Sequence, residues 1–324
     1  MKETGYRWLL EAGAQAAHRA ARGWQKMTLF LERIISGINL GSIYAIIALG
    51  YTMVYGIARM LNFAHGDIIM VGAYICFVAV SSMSLPPLVG VLLAMVVCTI
   101  LGVTIERLAY RPLRQAAPLA VLITAIGVSY LLQNLAQLIW TANPKSFPSL
   151  ITLGDITLYT SASGASLRLT GTTIVTVLAN IIIMIALTLF TGHTKMGKAM
   201  RAVSEDRAAA ELMGISVNRT IALTFAIGSA LAAIAGVLLC SSYQVLQPTT
   251  GSMPGIKAFT AAVFGGIGSI PGAMIGGILL GVIEILGNGY VSTQLGDAFV
   301  FAVLIVVLLV KPTGLLGKKV HEKV

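Results

Sequence analysis

The residues with the most chemical potential form a short run, Asn62-Phe-Ala-His65-Gly66-Asp67, where an amide, an imidazole and a carboxylate adjoin a strongly apolar stretch. Ionisable groups beside or within apolar spans are costly and usually face a cavity or a partner. The run is therefore a candidate for a polar path through the protein. A local role has an equal claim for Asp67, because an acid at the N-terminal end of a helix is favoured by the helix dipole. Catalysis finds no such foothold. His18, His65, His193 and His321 are scattered, and no Ser, Cys or carboxylate pair is spaced to work with a base. Cys76, Cys98 and Cys240 lie in apolar runs without CxxC or CxxH spacing and read as packing residues. Gly192 to Lys198 has the GxxxxGK spacing of a phosphate loop. Ala199, however, stands where such a loop needs a hydroxyl for magnesium, so ATP binding by this chain is not expected.

Two further constellations concern assembly. Gly37, Gly41 and Ala45, with Ser42 and Tyr44 beside them, place a small-xxx-small face on one apolar run, and the spacing recurs in Gly272/Gly276 and Gly277/Gly281. Such faces let helix backbones approach closely, and packing is their principal reading. The polar segment 192–218 is longer than common connections. Ser204, Glu205 and Asp206 are helix-start signals, Ala208 to Met213 favour helix, and Gly214 is a natural stop. A short surface helix leading into an apolar span suits the docking of a soluble partner.

The elements that must carry these residues follow from composition. The 324 residues are 57% hydrophobic and 10% charged, with a mean hydropathy of +0.88, against roughly 25% charged residues in a soluble chain. Disorder, a collagen-like fibre and a secreted disulfide scaffold are excluded. The net charge of +10 is distributed in blocks at 1–33, 105–118, 192–219 and beyond 310, separated by long uncharged stretches. That is the pattern of a multi-pass membrane protein obeying the positive-inside rule, and no aromatic-interleaved basic groove points to nucleic acid. Apolar spans fall near 34–57, 86–105, 118–140, 172–191, 219–241 and 297–311. The runs are continuous and lack the alternation of a β-barrel. The expected fold is an all-α polytopic transmembrane helical bundle of about eight spans, within a range of seven to ten.

Residues 61–80 and the Gly-rich 256–290 are broken or re-entrant segments on this reading. Irregular backbone at membrane depth survives only when buried in protein or lining a wet cavity. If blocks 105–118, 192–218 and 311–324 are cytoplasmic and 141–171 is outside, the stretch 256–290 holds either two crossings or one re-entrant element. The basic N-terminus is expected on the cytoplasmic side, with three apolar segments before residue 105 and Arg59 outside. Residues 1–27 form an amphipathic interfacial helix, with Tyr6, Leu9, Leu10 and Gly13 on one side and Arg7, Glu11 and Gln15 on the other. An upstream extension preceding a start at Met27 has an equal claim. The membrane domain then spans 28–318, followed by a basic tail, 319–324. Asn39, Tyr44, Asn62, His65 and Asp67, with Gly265, Gly266 and Gly268, are expected nearer a dimer axis than the lipid face, because unpaired polar groups in hydrocarbon cost several kcal/mol each.

Three blocks carry a specific resemblance. Gly37 to Gly56 continuing through Asn62 to Asp67, the segment from Met196 to Ile215, and Phe264-Gly-Gly-Ile-Gly-Ser269-Ile-Pro271-Gly272 resemble the permeases of branched-chain amino acid ABC importers, in their smaller, H-type subunit. The likeness runs from about Met27 to Lys318. It implies a bacterial inner-membrane importer assembled from two permease subunits, two cytoplasmic ATPases that hold ATP and magnesium, and a periplasmic binding protein. This chain would bind no cofactor and would carry leucine, isoleucine and valine. Ala208, Ala209, Ala210, Glu211 and Gly214 would meet the ATPase, although alanine replaces the Glu that opens the family's coupling-loop consensus. Similar permeases carry urea, short amides or other amino acids. A stand-alone secondary transporter, with Asp67 and Glu284 as coupling carboxylates, is the rival class.

Overall fold

The computed structural model describes residues 3–160 and 166–317, with side chains from Gly23 onward. Eight of the described helical segments are long and apolar enough to cross a membrane. The amphipathic faces expected over residues 1–27 rest largely on side chains outside the described residues, as does the basic tail.

Helix α1 (Glu3–Ala58) carries the first crossing, from Gly23. A non-helical segment, 59–64, leads into α2 (His65–Phe77), which a π-helical turn, Val78–Ser82, prolongs. Helices α3 (Pro87–Ile105) and α4 (Pro118–Trp140) each begin on proline, whose fixed φ and missing N–H suit a first turn. A second π-helical turn, Glu106–Tyr110, extends α3. Between α4 and α5 (Gly171–His193) lie β1 (Lys145–Ser146) and an antiparallel hairpin of β2 (Ile156–Thr160) and β3 (Ser166–Leu169). Two short helices follow, α6 (Lys195–Glu205) and α7 (Arg207–Leu212). The chain then forms α8 (Val217–Tyr243), β4 (Val245–Leu246), α9 (Ser252–Gly265), α10 (Ile270–Tyr290) and α11 (Gly296–Val310). The expected all-α bundle is the observed one.

Helices α1 and α8 are the most enclosed, whereas α4, α5 and α11 expose apolar faces suited to lipid. The small-residue motifs meet each other. Helices α1 and α10 run antiparallel, with Gly37 against Val282, Gly41 against Ile278 and Ala45 against Gly277. A Cβ on Gly41 would stand 2.6 Å from the Ile278 Cα, and one on Gly281 would strike the Gly41 backbone. Close backbone approach is what small residues supply between membrane helices.

Contacts at the helix ends define two faces. On one, Arg59 donates to the Ser204 carbonyl at 2.9 Å, Arg114 reaches Asn218, and the Leu315 N–H bonds the Phe264 carbonyl. On the other, Trp24 lies 6.1 Å from Tyr159, Arg33 sits 4.4 Å over the Tyr290 ring, and β1 pairs with β4. The beginning of the α1 crossing thus shares the face of the 141–171 segment. This corrects the expectation of an N-terminus beside the basic blocks with Arg59 opposite them. Three crossings precede residue 110, and an odd number must put the start and the 105–118 block on opposite faces. Arg59 lies on the basic face with them.

The Gly-rich stretch is resolved as two crossings, one of them broken. At 1.5 Å per residue, the 14 residues of α9 span about 21 Å, short of the roughly 30 Å of hydrocarbon. The N-terminus of α9 lies within the bundle, where Gly251 touches Gly66, and its far end lies beside Leu315 and Leu316. The non-helical segment 244–251 covers the remaining depth. Helix α2 also starts inside, with His65 against Gly50, about two turns short of the end of α1 at Ala58.

Candidate translocation site

Two helix N-termini, those of α2 and α9, meet inside the bundle. Glycine is required at the contact: a Cβ on Gly251 would strike the Gly66 carbonyl, and one on Gly66 would stand 2.6 Å from the Gly251 oxygen. Asp67, in the first turn of α2 and only 2% exposed, accepts a 2.9 Å hydrogen bond from Gln133 of α4. The same Gln133 amide lies 3.2 Å from Ser129 and 3.3 Å from Ser252, the first residue of α9. Asp67 therefore does more than favour its own helix dipole. Through Gln133 it connects α2, α4 and α9 at the break.

His65, 1% exposed, has its ring 4.6 Å from that of Tyr51, and its Nε2 has no hydrogen-bond partner among the described residues. Asn62 accepts a 2.8 Å bond from the Tyr110 hydroxyl. Tyr44 instead joins a second polar group. Its hydroxyl donates to Glu284 at 3.0 Å, Glu284 pairs with Lys257 at 2.7 Å, and Lys257 reaches Asp297 at 2.5 Å. One cation and two carboxylates thereby bind α9 to α10 and α11, with α1 attached through Tyr44. Burying the Lys257–Glu284 pair is expensive unless the partners satisfy one another, as they do here, and the half-exposed Asp297 adds a second acceptor for Lys257.

The eight expected path residues are distributed over separate places. Asn62, His65 and Asp67 lie around the start of α2, and Tyr44 belongs to the Lys257 network. Asn39 lines a polar cavity of about 370 Å³ on the opposite face from α7, together with Ser149, Asp155, Ser241, Ser242 and Gln244. Gly265, Gly266 and Gly268 lie at the turn between α9 and α10, on the basic face. There Gly266 (φ +103°) and Gly268 (φ +91°) adopt a conformation that favours glycine. The Leu316 N–H bonds the Gly265 carbonyl. These glycines shape a turn and receive the C-terminal segment, and they do not join Asp67 in one site.

The 192–218 segment is two helices, because Asp206 breaks it. Ser204 and Glu205 close α6, whereas the Asp206 carboxylate accepts from the Ala208 and Ala209 amides at 2.9 and 3.0 Å and starts α7. Thr194 caps α6 on Gly197, so the GxxxxGK run forms a helix start in place of a phosphate loop. Gly214 stops α7 at φ +80°, as expected of it. Ala208, Ala209, Glu211 and Gly214 face outward, but Ala210 is turned into the protein, which corrects its expected role as a contact. Leu212 and Met213, 90% and 82% exposed, complete the outward surface. Arg207 donates to the carbonyl of Ala58, the last residue of α1. Burial, with Arg114 and Arg59 nearby, lowers the Arg207 pKa.

Sequence reasoning passed over Gln133, Ser252, Tyr110 and Lys257, and noticed Glu284 only as a coupling carboxylate. Lys257 had a signal: it is the lone charge between residues 220 and 283, and Glu284 is the next charged residue. Gln133 had none, since an amide on a peripheral helix resembles many others. Among the described residues, no three His, Cys, Asp or Glu side chains cluster to hold a metal.

Known proteins resolve the family. The family described as "Branched-chain amino acid transport system / permease component" matches residues 33–308. The high-affinity branched-chain amino acid transport system permease protein LivH of Escherichia coli K12 is 46% identical over 310 residues, covering 93% of this chain and 99% of the relative. LivH of Salmonella typhimurium is 46% identical over 308 residues, with the same coverage. BraD of Pseudomonas aeruginosa is 46% identical over 303 residues, covering 91% of this chain and 98% of BraD. With a broken-helix membrane bundle matched over nearly its whole length, the chain belongs to the branched-chain amino acid transport permease family.

Proposed function

We propose that this chain is a permease subunit of an ATP-driven importer in the bacterial cytoplasmic membrane and forms part of the path for leucine, isoleucine and valine. The names of its relatives support the substrate class. One structural connection supports the mechanism: the outward-facing α7 is tied by Arg207 to the end of α1, and the adjoining α6 is tied by its Ser204 carbonyl to Arg59 at the head of the irregular segment that leads to Asp67. Displacement of α7 by a soluble ATPase would be transmitted first to residues 58–64 and then to the α2/α9 break. The exposed Ala208, Ala209, Glu211, Leu212, Met213 and Gly214 form the ATPase contact. ATP and magnesium belong to two such partner subunits, and a second permease subunit completes the path. A periplasmic binding protein delivers substrate to the face bearing residues 141–171.

The broken helices supply the chemistry of passage. Where α2 and α9 begin, the positive ends of the two helix dipoles and the polar side chains of Asp67, Gln133 and Ser252 offer alternatives to water for a zwitterion's charged ends. Reconstitution in proteoliposomes tests the reading. Leucine accumulation should require the ATPases, ATP and the binding protein together. Accumulation by this chain alone on an ion gradient would establish the secondary-transporter class instead. Calorimetry on the cognate binding protein tests the substrate, and tight urea or amide binding without leucine binding would reject the branched-chain assignment.

A further inference from the structure

At the basic face, α3 and α8 enclose a cavity of about 330 Å³ that the transport reading does not use. It is lined by Val103, Glu106, Arg107, Arg111, Asn218 and Arg219, with Ala222, Leu223 and Ala226 continuing along α8. The charges in it are unbalanced. Glu106, the only carboxylate in the lining, is buried and already paired with Arg114, which also donates to Asn218 at 2.5 Å. Among the described residues, Arg107, Arg111 and Arg219 form no ion pair and donate no side-chain hydrogen bond, and all three are exposed. Arg107 lies in the π-helical extension of α3 and Arg111 directly follows it, both lining the cavity, and Arg219 approaches from the first turn of α8.

Ordinary interfacial arginines extend singly into water. These three line one cavity, whose wall beyond Glu106 and Asn218 is apolar, formed by Val103, Ala222, Leu223 and Ala226. The lining suits an amphipathic anion, with a phosphate among the guanidiniums and hydrocarbon along Val103, Ala222, Leu223 and Ala226. The small Ala222 and Ala226, one turn apart, leave a shallow channel for a chain. Guanidinium groups match phosphate oxygens in geometry as well as charge, and basic pockets between membrane helices favour anionic head groups. We infer that this cavity is a binding site for an anionic phospholipid, held by its phosphate on Arg107, Arg111 and Arg219 and by an acyl chain in the α3/α8 groove. It goes beyond the transport reading and depends only on the chain being embedded in a bilayer.

Native mass spectrometry of the detergent-solubilised permease complex tests it, with dioleoyl phosphatidylglycerol and dioleoyl phosphatidylcholine titrated in parallel. Phosphatidylglycerol should be retained preferentially. At about 1 kcal/mol per basic residue, each of Arg107→Gln, Arg111→Gln and Arg219→Gln should weaken retention about fivefold, and the triple variant about a hundredfold. Arg168→Gln, on the opposite face, should change nothing. Single variants keep the test valid if the triple variant does not fold. Equal retention of the two lipids, or unchanged phosphatidylglycerol retention in all three single variants, would overturn the proposal. So would full displacement by millimolar inorganic phosphate, which would identify a site for free phosphate. Crosslinking of a cysteine at residue 111 to a partner subunit, with no lipid retained, would identify a protein interface instead.

Discussion

At the scale of single residues, the Lys257 network is the most exacting arrangement in the bundle. Lys257 and Glu284 are both largely buried, and each satisfies a charge that the surrounding helices cannot hydrate. Removing one partner of a buried pair leaves the other uncompensated, at a cost of about 3–5 kcal/mol, whereas replacing both by apolar groups can be nearly neutral. Lys257→Met and Glu284→Leu should therefore each lower the unfolding temperature in detergent, and the double variant should recover most of the loss. Additive losses in the double variant would show that the two charges act independently. The Asp67 connection differs in kind, because its partner Gln133 is neutral and is shared with Ser129 and Ser252. Gln133 can trade hydrogen bonds among Asp67, Ser129 and Ser252 without breaking an ion pair, which suits the helix displacement proposed above.

At the scale of elements, two glycines with different physical duties lead to different outcomes. Gly41 is fixed by backbone proximity to α10, so Gly41→Leu must push α1 and α10 apart. Overpacking costs about 1–3 kcal/mol or more, and the variant should lose folded protein on size-exclusion chromatography in detergent. A Cβ on Gly214 would meet nothing within 4 Å, and the constraint there is the φ of +80°. Gly214→Asn should keep transport, because Asn tolerates the left-handed region. Gly214→Glu adds both strain and charge at the exposed end of α7 and should abolish transport and ATPase co-purification while membrane insertion stays normal. Normal uptake by Gly214→Glu, or loss of the protein from the membrane, would reduce α7 to a connector.

At the scale of the whole molecule, the broken crossings set the topology. Helix α9 is too short to span by itself, yet with residues 244–251 it returns the chain to the basic face, so α10 and α11 can bring the C-terminal segment back there. The beginning of α1 shares the opposite face with the 141–171 segment. With an impermeant maleimide on intact spheroplasts, Gln25→Cys and Asp155→Cys should react and Glu205→Cys should not. Reaction at Glu205→Cys together with silence at Gln25→Cys would invert the assigned orientation. Lys26 and Arg33 then depart from the positive-inside pattern, which the three other blocks satisfy by lying together around residues 105–118, 192–218 and 311–317.

The sequence by itself determined the solvent, the helical class and the family. Continuous apolar runs with few charges can be satisfied in a membrane only by helices, and the long motifs from Gly37 to Asp67 and from Phe264 to Gly272 persist without reference to any partner residue. It also located the end of α7, because the left-handed turn at Gly214 is a local requirement of the chain. Tertiary structure alone decided which polar groups meet. Gln133 reaches Asp67 across 66 residues and Tyr44 reaches Glu284 across 240, and no periodicity encodes a contact between different helices. It likewise decided that Ala210 faces inward while Leu212 and Met213 face outward, since a six-residue helix is too short for its pattern to declare a buried side. The side on which the α1 crossing begins was settled in the same way. Charge gives only a bias toward one face, whereas the packing of α1 against α10 and the passage of the chain through 59–64 and 244–251 fix where each end must emerge.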